Sequence, residues 1–130
     1  MELQDALVRH LDWKVRLRTA LAENRPLDVE AASDHEHCAL GRWLTGEAAA
    51  RYGHLPSYRA CCAHHEQFHE EAGQVVRCIA EQHKAEALAR LAMSGAFSNA
   101  SSVLIESLKR LREDAKHQDW ADARRQKGLP

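Results

Sequence analysis

With 130 residues, 18 basic and 19 acidic side chains and a formal net charge of −1, the chain is sized for one domain and one core, and it lacks the basic field that would draw in nucleic acid or anionic lipid. No run of 18 apolar residues is present to enter a membrane. The start, Met1-Glu2-Leu3-Gln4-Asp5, has neither the basic segment nor the apolar stretch of a secretory signal, so a cytoplasmic location is expected.

Alanine, leucine, glutamate and arginine are plentiful, aromatics make up 5% and prolines number 3, which predicts an all-α fold. The first helix is expected from Leu3 to about Glu23, with a core stripe of Ala6, His10, Trp13, Leu17 and Ala20 or Leu21. Asn24-Arg25-Pro26 ends it. From Leu27 to Pro56 the pattern is irregular and punctuated by Gly46, Gly53 and Pro56, so short pieces are expected: Asp28 to Ala32, Ala39 to Leu44 and Glu47 to Tyr52. A second long helix begins at Pro56 or Ser57 and runs to about Gln82. A last one covers Lys84 to Lys116. Its stripe of Phe97, Ser101, Leu104, Leu108 and Leu111 is not continued by Leu88, Leu91 and Ala92, which predicts a kink or change of partner near Ser94-Gly95. The domain is placed at residues 1–117, and residues 118–130 read as a basic, frayed tail.

The chemistry lies on the second long helix. Its stripe Cys62, His65, His69, Ala72, Val76, Ile79 turns two imidazoles inward together. Buried polar rings need partners, and a metal ion suits two imidazoles one turn apart. His10 can supply a third ligand if the first helix packs stripe to stripe. A cysteine is expected as the fourth. Cys38 leads, because Leu40 and Trp43 can anchor a short helix behind it and Gly41 permits close backbone approach. Cys62 is the rival, although donors from one helix close a tetrahedron poorly. Taken singly, each residue has a plainer reading: surface histidines for the His-x-x-x-His pair, a satisfied core histidine for His10, a small buried hydrophobe for Cys38.

Cys61 and Cys78 read as packing residues, and disulfides are not expected in a reducing compartment. His35 and His37, flanking Cys38, read as solvated loop residues with an auxiliary metal role as the alternative. Glu66-x-x-His69 has the spacing of di-iron bundles, but its only counterpart in the long helices is Asp114-x-x-His117 near a fraying end, so a di-iron site is not expected. Four protein ligands leave no open position for activated water, which argues against an enzyme.

Three blocks, His10-Leu11-Asp12-Trp13-Lys14, Cys38-Ala39-Leu40-Gly41-Arg42-Trp43-Leu44 and His65-Glu66-Gln67-Phe68-His69, resemble in order and interval the motifs of the chemoreceptor zinc-binding domain family. The likeness continues through Ala87 to Leu91, Phe97, Ser101-Ser102 and Leu104 to Leu111. It implies an antiparallel four-helix-type bundle with short helices between the first and second long ones. One Zn2+ per chain would be held by His10, Cys38, His65 and His69, with Trp13, Leu40, Gly41 and Trp43 in support. It further implies a homodimer and a link to bacterial signalling, in chemotaxis or cyclic-di-GMP control. The signal would be zinc or an oxidant such as hypochlorous acid, with Cys38 as the redox switch. The chain has no room for a methyl-accepting coiled coil or a cyclase domain, so a stand-alone member or an excised domain is expected, with a separate chemoreceptor or diguanylate cyclase as output partner. The alternative is a helical interaction module in which zinc is purely structural.

Overall fold

A computed structural model describes residues 3–128. Among them there is no strand. The order is α1 (Leu3–Ala22), α2 (Val29–Ser33), α3 (Ala39–Thr45), α4 (Glu47–Tyr52), α5 (Pro56–Ala80), α6 (Lys84–Leu91) and α7 (Ala96–Gln126). None of these helices is long and apolar enough to cross a membrane.

The ends of α1 and α5 share a device. Asn24 and Gln82 take left-handed backbone, φ 51° and 61°. The next amide then reaches back to an orphan carbonyl of the last turn: Arg25 N to Ala20 O at 2.8 Å, His83 N to Cys78 O at 2.8 Å. Both boundaries fall within two residues of those expected.

α5 is the central element and packs against α7, α2, α6 and α1. Its Phe68, Ala72, Val75 and Val76 are fully enclosed, with Phe97, Leu104, Leu108 and Leu111 of α7 and Leu17 of α1. The Phe68 and Phe97 rings lie 5.3 Å apart. On α1, Ala6, His10, Leu17 and Ala20 are buried as the stripe requires, joined by Leu7, while Trp13 is half-buried. α2 crosses α5 at Gly73, where a Cβ would overlap the Ser33 side chain. This close crossing brings the Ala32 carbonyl to the face of α5 that carries His69.

Two expectations need correction. The last long helix is broken rather than kinked: α6 stops at Leu91, Ala92 is extended, and α7 starts at Ala96. The Ser98 hydroxyl donates to Leu91 O at 3.0 Å and so satisfies one carbonyl freed by the break. α7 also continues through Gln126, so residues 118–126 are helix rather than frayed tail. Polar bonds to α4 hold that extension. Tyr52 donates its hydroxyl to the Asp119 carboxylate at 2.9 Å, Arg51 pairs with the same group at 2.6 Å, and Gln118 donates to Arg51 O at 2.5 Å.

Candidate metal centre

Backbone carbonyls orient two of the inward histidines, and a helix cap positions the thiol. His10 lies one turn into the buried stripe of α1, and its Nδ1 is 2.7 Å from Ala6 O. His69 Nδ1 is 2.9 Å from Ala32 O, across the α2–α5 crossing. A carbonyl can only accept, so both Nδ1 atoms carry the proton and both Nε2 atoms present a lone pair. Both Nε2 atoms are buried without a hydrogen-bond partner among the described residues. His65 Nε2 lies 3.2 Å from Cys38 Sγ.

Cys38 is the N-cap of α3. Its sulfur accepts from Gly41 N at 3.3 Å, the bond a serine or aspartate oxygen makes at other helix starts. A helix N-terminus favours negative charge there. Gly41 is required for a steric reason: a Cβ would overlap the His35 carbonyl. Leu40 and Leu44 anchor α3 in the core, Trp43 packs its ring 6.3 Å from that of Tyr52, and Tyr58 of α5 donates to Leu44 O at 2.7 Å. The supporting residues expected from sequence thus all touch the segment that holds the thiol, apart from Trp13. Trp13 instead sets its ring edge-on to His69 at 6.3 Å and is itself covered by the Arg16 guanidinium at 4.1 Å.

The result is one compact group. The ligand atoms of His10, Cys38, His65 and His69 all lie within 4.8 Å of one another, the only such group of three or more candidate donors among the described residues. Zn–S near 2.3 Å and Zn–N near 2.0 Å imply tetrahedron edges of roughly 3.3–3.6 Å, so side-chain adjustments of about 1 Å would seat the ion. Burial, helped by the neighbouring rings of His69, His10 and His35, pushes His65 down to about 2. Burial likewise takes His69 down to about 4 and lowers His10, each against its carbonyl hydrogen bond. All three rings are therefore neutral at pH 7, the form that binds metal. Burial raises the Cys38 thiol, opposed by the Gly41 amide. A nearby dication reverses that direction. Two orphaned, buried nitrogens beside a thiol fit Zn2+ better than they fit any arrangement without an ion.

The rivals fall away. Cys62 is half-buried and outside the group, and Glu66 is exposed. Cys61 and Cys78 are buried free thiols, Cys61 pushed up to about 12 by burial. Sequence reasoning gave the carbonyls of Ala6 and Ala32 no role at the site. Ala6 was legible in principle, four residues before His10. Ala32 was not, because its role depends on the α2–α5 crossing.

Fold and cluster together define an all-helical protein with an interior three-histidine, one-cysteine group that fits a metal ion. The profile of the chemoreceptor zinc-binding domain matches residues 10–76, just over half of the chain, and the chain belongs to that family. The match spans all four donors and ends at Val76, so the likeness noted in α6 and α7 lies beyond it. Comparison with curated proteins and with solved structures gives no match.

Proposed function

We propose that this is a zinc-binding sensory module in which His10, Cys38, His65 and His69 hold one Zn2+ and Cys38 is the responsive group. The observation that carries it is the pair of buried, partnerless Nε2 atoms on His10 and His69, gathered with the Cys38 sulfur. Bound zinc would act as a Lewis acid that keeps the Cys38 sulfur as thiolate. Hypochlorous acid converts such a thiolate to a sulfenic acid with release of chloride: R–S⁻ + HOCl → R–SOH + Cl⁻. The sulfur that caps α3 is then altered. The cap on Gly41 N and the contact with His65 weaken together, and the segment carrying Leu40 and Trp43 loosens from α5.

With four protein donors the coordination sphere is closed, which supports a non-catalytic role. In this reading α1, α5, α6 and α7 form the antiparallel four-helix-type bundle. The protein acts in the cytoplasm with a second copy of itself, and a chemoreceptor or diguanylate cyclase reads the change. The exposed apolar stripe Val8, Leu11, Val15 on α1 supports pairing through a long helix face. Neither membrane insertion nor nucleic-acid binding enters this scheme. A second reading, zinc as a structural staple alone, is favoured by the near-complete burial of the three imidazoles, 1–4% exposed. Mass spectrometry after graded hypochlorite treatment separates the two. Sensing requires Cys38 to be oxidised well before Cys78; equal reactivity leaves only the staple.

A further inference from the structure

Two cavities border the four-donor group, and their walls differ in kind. One, of about 690 Å³, reaches His10 and Cys38. Its walls are mainly apolar, Val8, Leu11, Val15 and Leu40 among them, and its charged groups are Arg9, Arg16 and Asp12. A hydrated dication approaching there meets a net positive rim and little to replace its waters. The other, of about 510 Å³, reaches His65. Its lining includes His35, His37, Cys62, Glu36 and Glu66 and contains no lysine or arginine. This mouth attracts a cation and offers it nitrogen, sulfur and oxygen donors.

We infer that His35, His37, Cys62 and Glu66 form a transient loading station through which Zn2+ enters and leaves the buried site. The inference rests on the zinc reading proposed above. Four observations support the station's place on the path. The His35 ring stands edge-on to His65 at 6.3 Å, so an ion held by His35 is one ring away from the buried donors. The His35 carbonyl lies in the Cys38 turn, 3.9 Å from Sγ. His37 has its Nδ1 fixed by the Asp34 carboxylate at 2.7 Å, which orients the ring and leaves Nε2 for a cation. The half-buried Cys62 and the exposed Glu66 stand on α5 three residues before and one after His65.

The four station donors do not gather into a compact group as the buried four do. That is what loading demands, because a tight outer site would hold the ion instead of passing it inward. A donor that acts only on the path lowers the barrier equally in both directions. It changes the rates of uptake and release by the same factor and leaves the equilibrium affinity untouched. This signature separates a loading donor from a resident ligand.

The test uses the full chain loaded with zinc alone. Release is timed against excess chelator, uptake is timed on the stripped protein, and affinity is measured by chelator competition. A His35→Gln, His37→Gln double variant should slow both rates severalfold and by the same factor, with unchanged affinity. Glu66→Gln, at an exposed position that does not threaten folding, should slow both by a smaller factor. Arg9→Gln, at the apolar mouth, should slow neither. Unchanged rates in both station variants overturn the inference while leaving the zinc site standing. So does a weaker affinity accompanied by faster release, which makes His35 or His37 a resident ligand. A wild-type protein that takes up no zinc overturns the site and the station together.

Discussion

The α5–α7 pair and the segment from Asp28 to Tyr52 hold their places in opposite ways. α5 and α7 are 25 and 31 residues long and bury aromatic and leucine side chains against each other. The intervening segment is built of helices of 5, 7 and 6 residues, too short to be stable alone. It contributes scattered groups to the core, Ala32, Leu40, Leu44, Ala48 and Tyr52, and depends on caps: the Asp28 carboxylate for α2 and the Cys38 sulfur for α3. One of those caps, Cys38, also belongs to the candidate metal group. The framework is therefore hydrophobic, and if the four-donor group holds an ion the intervening segment is tied to it by coordination, so loss of the ion should be felt locally.

The sharpest way to break this contrast is to remove one donor on the framework side. His69→Ala should take zinc content from one per chain to nearly none. Amide exchange should then rise throughout residues 28–45 while α5 and α7 stay protected. Uniform loss of protection would show that the framework also depends on the ion. A large effect of the opposite kind is expected from Leu108→Ala, far from the donors in sequence and fully buried. It should cost about 2–5 kcal/mol of global stability, read from chemical denaturation, and leave the zinc stoichiometry at one.

Acid should act on the stripped protein in a defined window. In the folded chain His65 and His69 titrate near 2 and 4, against 6.5 for the ordinary group. The unfolded chain therefore binds protons first. Stability is complete above about pH 7, begins to fall as pH drops through 6.5, and goes on falling towards pH 4, by up to about 1.4 kcal/mol per pH unit for each ring. A stability flat between pH 7 and 5 in chelator would contradict the burial of these rings. Gly41→Ala should next weaken zinc binding and destabilise by about 1–3 kcal/mol, because the added methyl displaces the His35 turn that carries Cys38. The smallest effect belongs to Asp119→Ala. It unties α4 from the end of α7 at a cost of about 1 kcal/mol, seen as faster exchange in residues 118–126 with zinc affinity intact.

Much of the framework was legible because its signal is apolar spacing. The stripes of α1 and α5 and the turn residues between them put every helix boundary before Lys84 within about two residues of where it lies. The four donors were legible because three histidines occupied positions that spacing assigns to the core, and because the block after Cys38 is built to hold a thiol. What escaped depends on contacts between elements. The Ala32 carbonyl becomes a partner of His69 only once Gly73 lets α2 cross α5. The extension of α7 past Lys116 is held by Gln118 and Asp119, polar residues that apolar periodicity does not count. His35 and His37 are loop residues as expected, but the contact of the His35 ring with His65 follows from the turn that also positions Cys38, and no spacing announces it.

Elemental analysis of freshly purified protein, set beside a Cys38→Ala variant, bears most directly on the central claim. The expected result is one zinc per wild-type chain and a clear loss in the variant, since three imidazoles alone leave the coordination sphere incomplete. Wild-type protein free of zinc, or a variant that retains the ion with equal affinity, would contradict the assignment of His10, Cys38, His65 and His69 as a single metal centre.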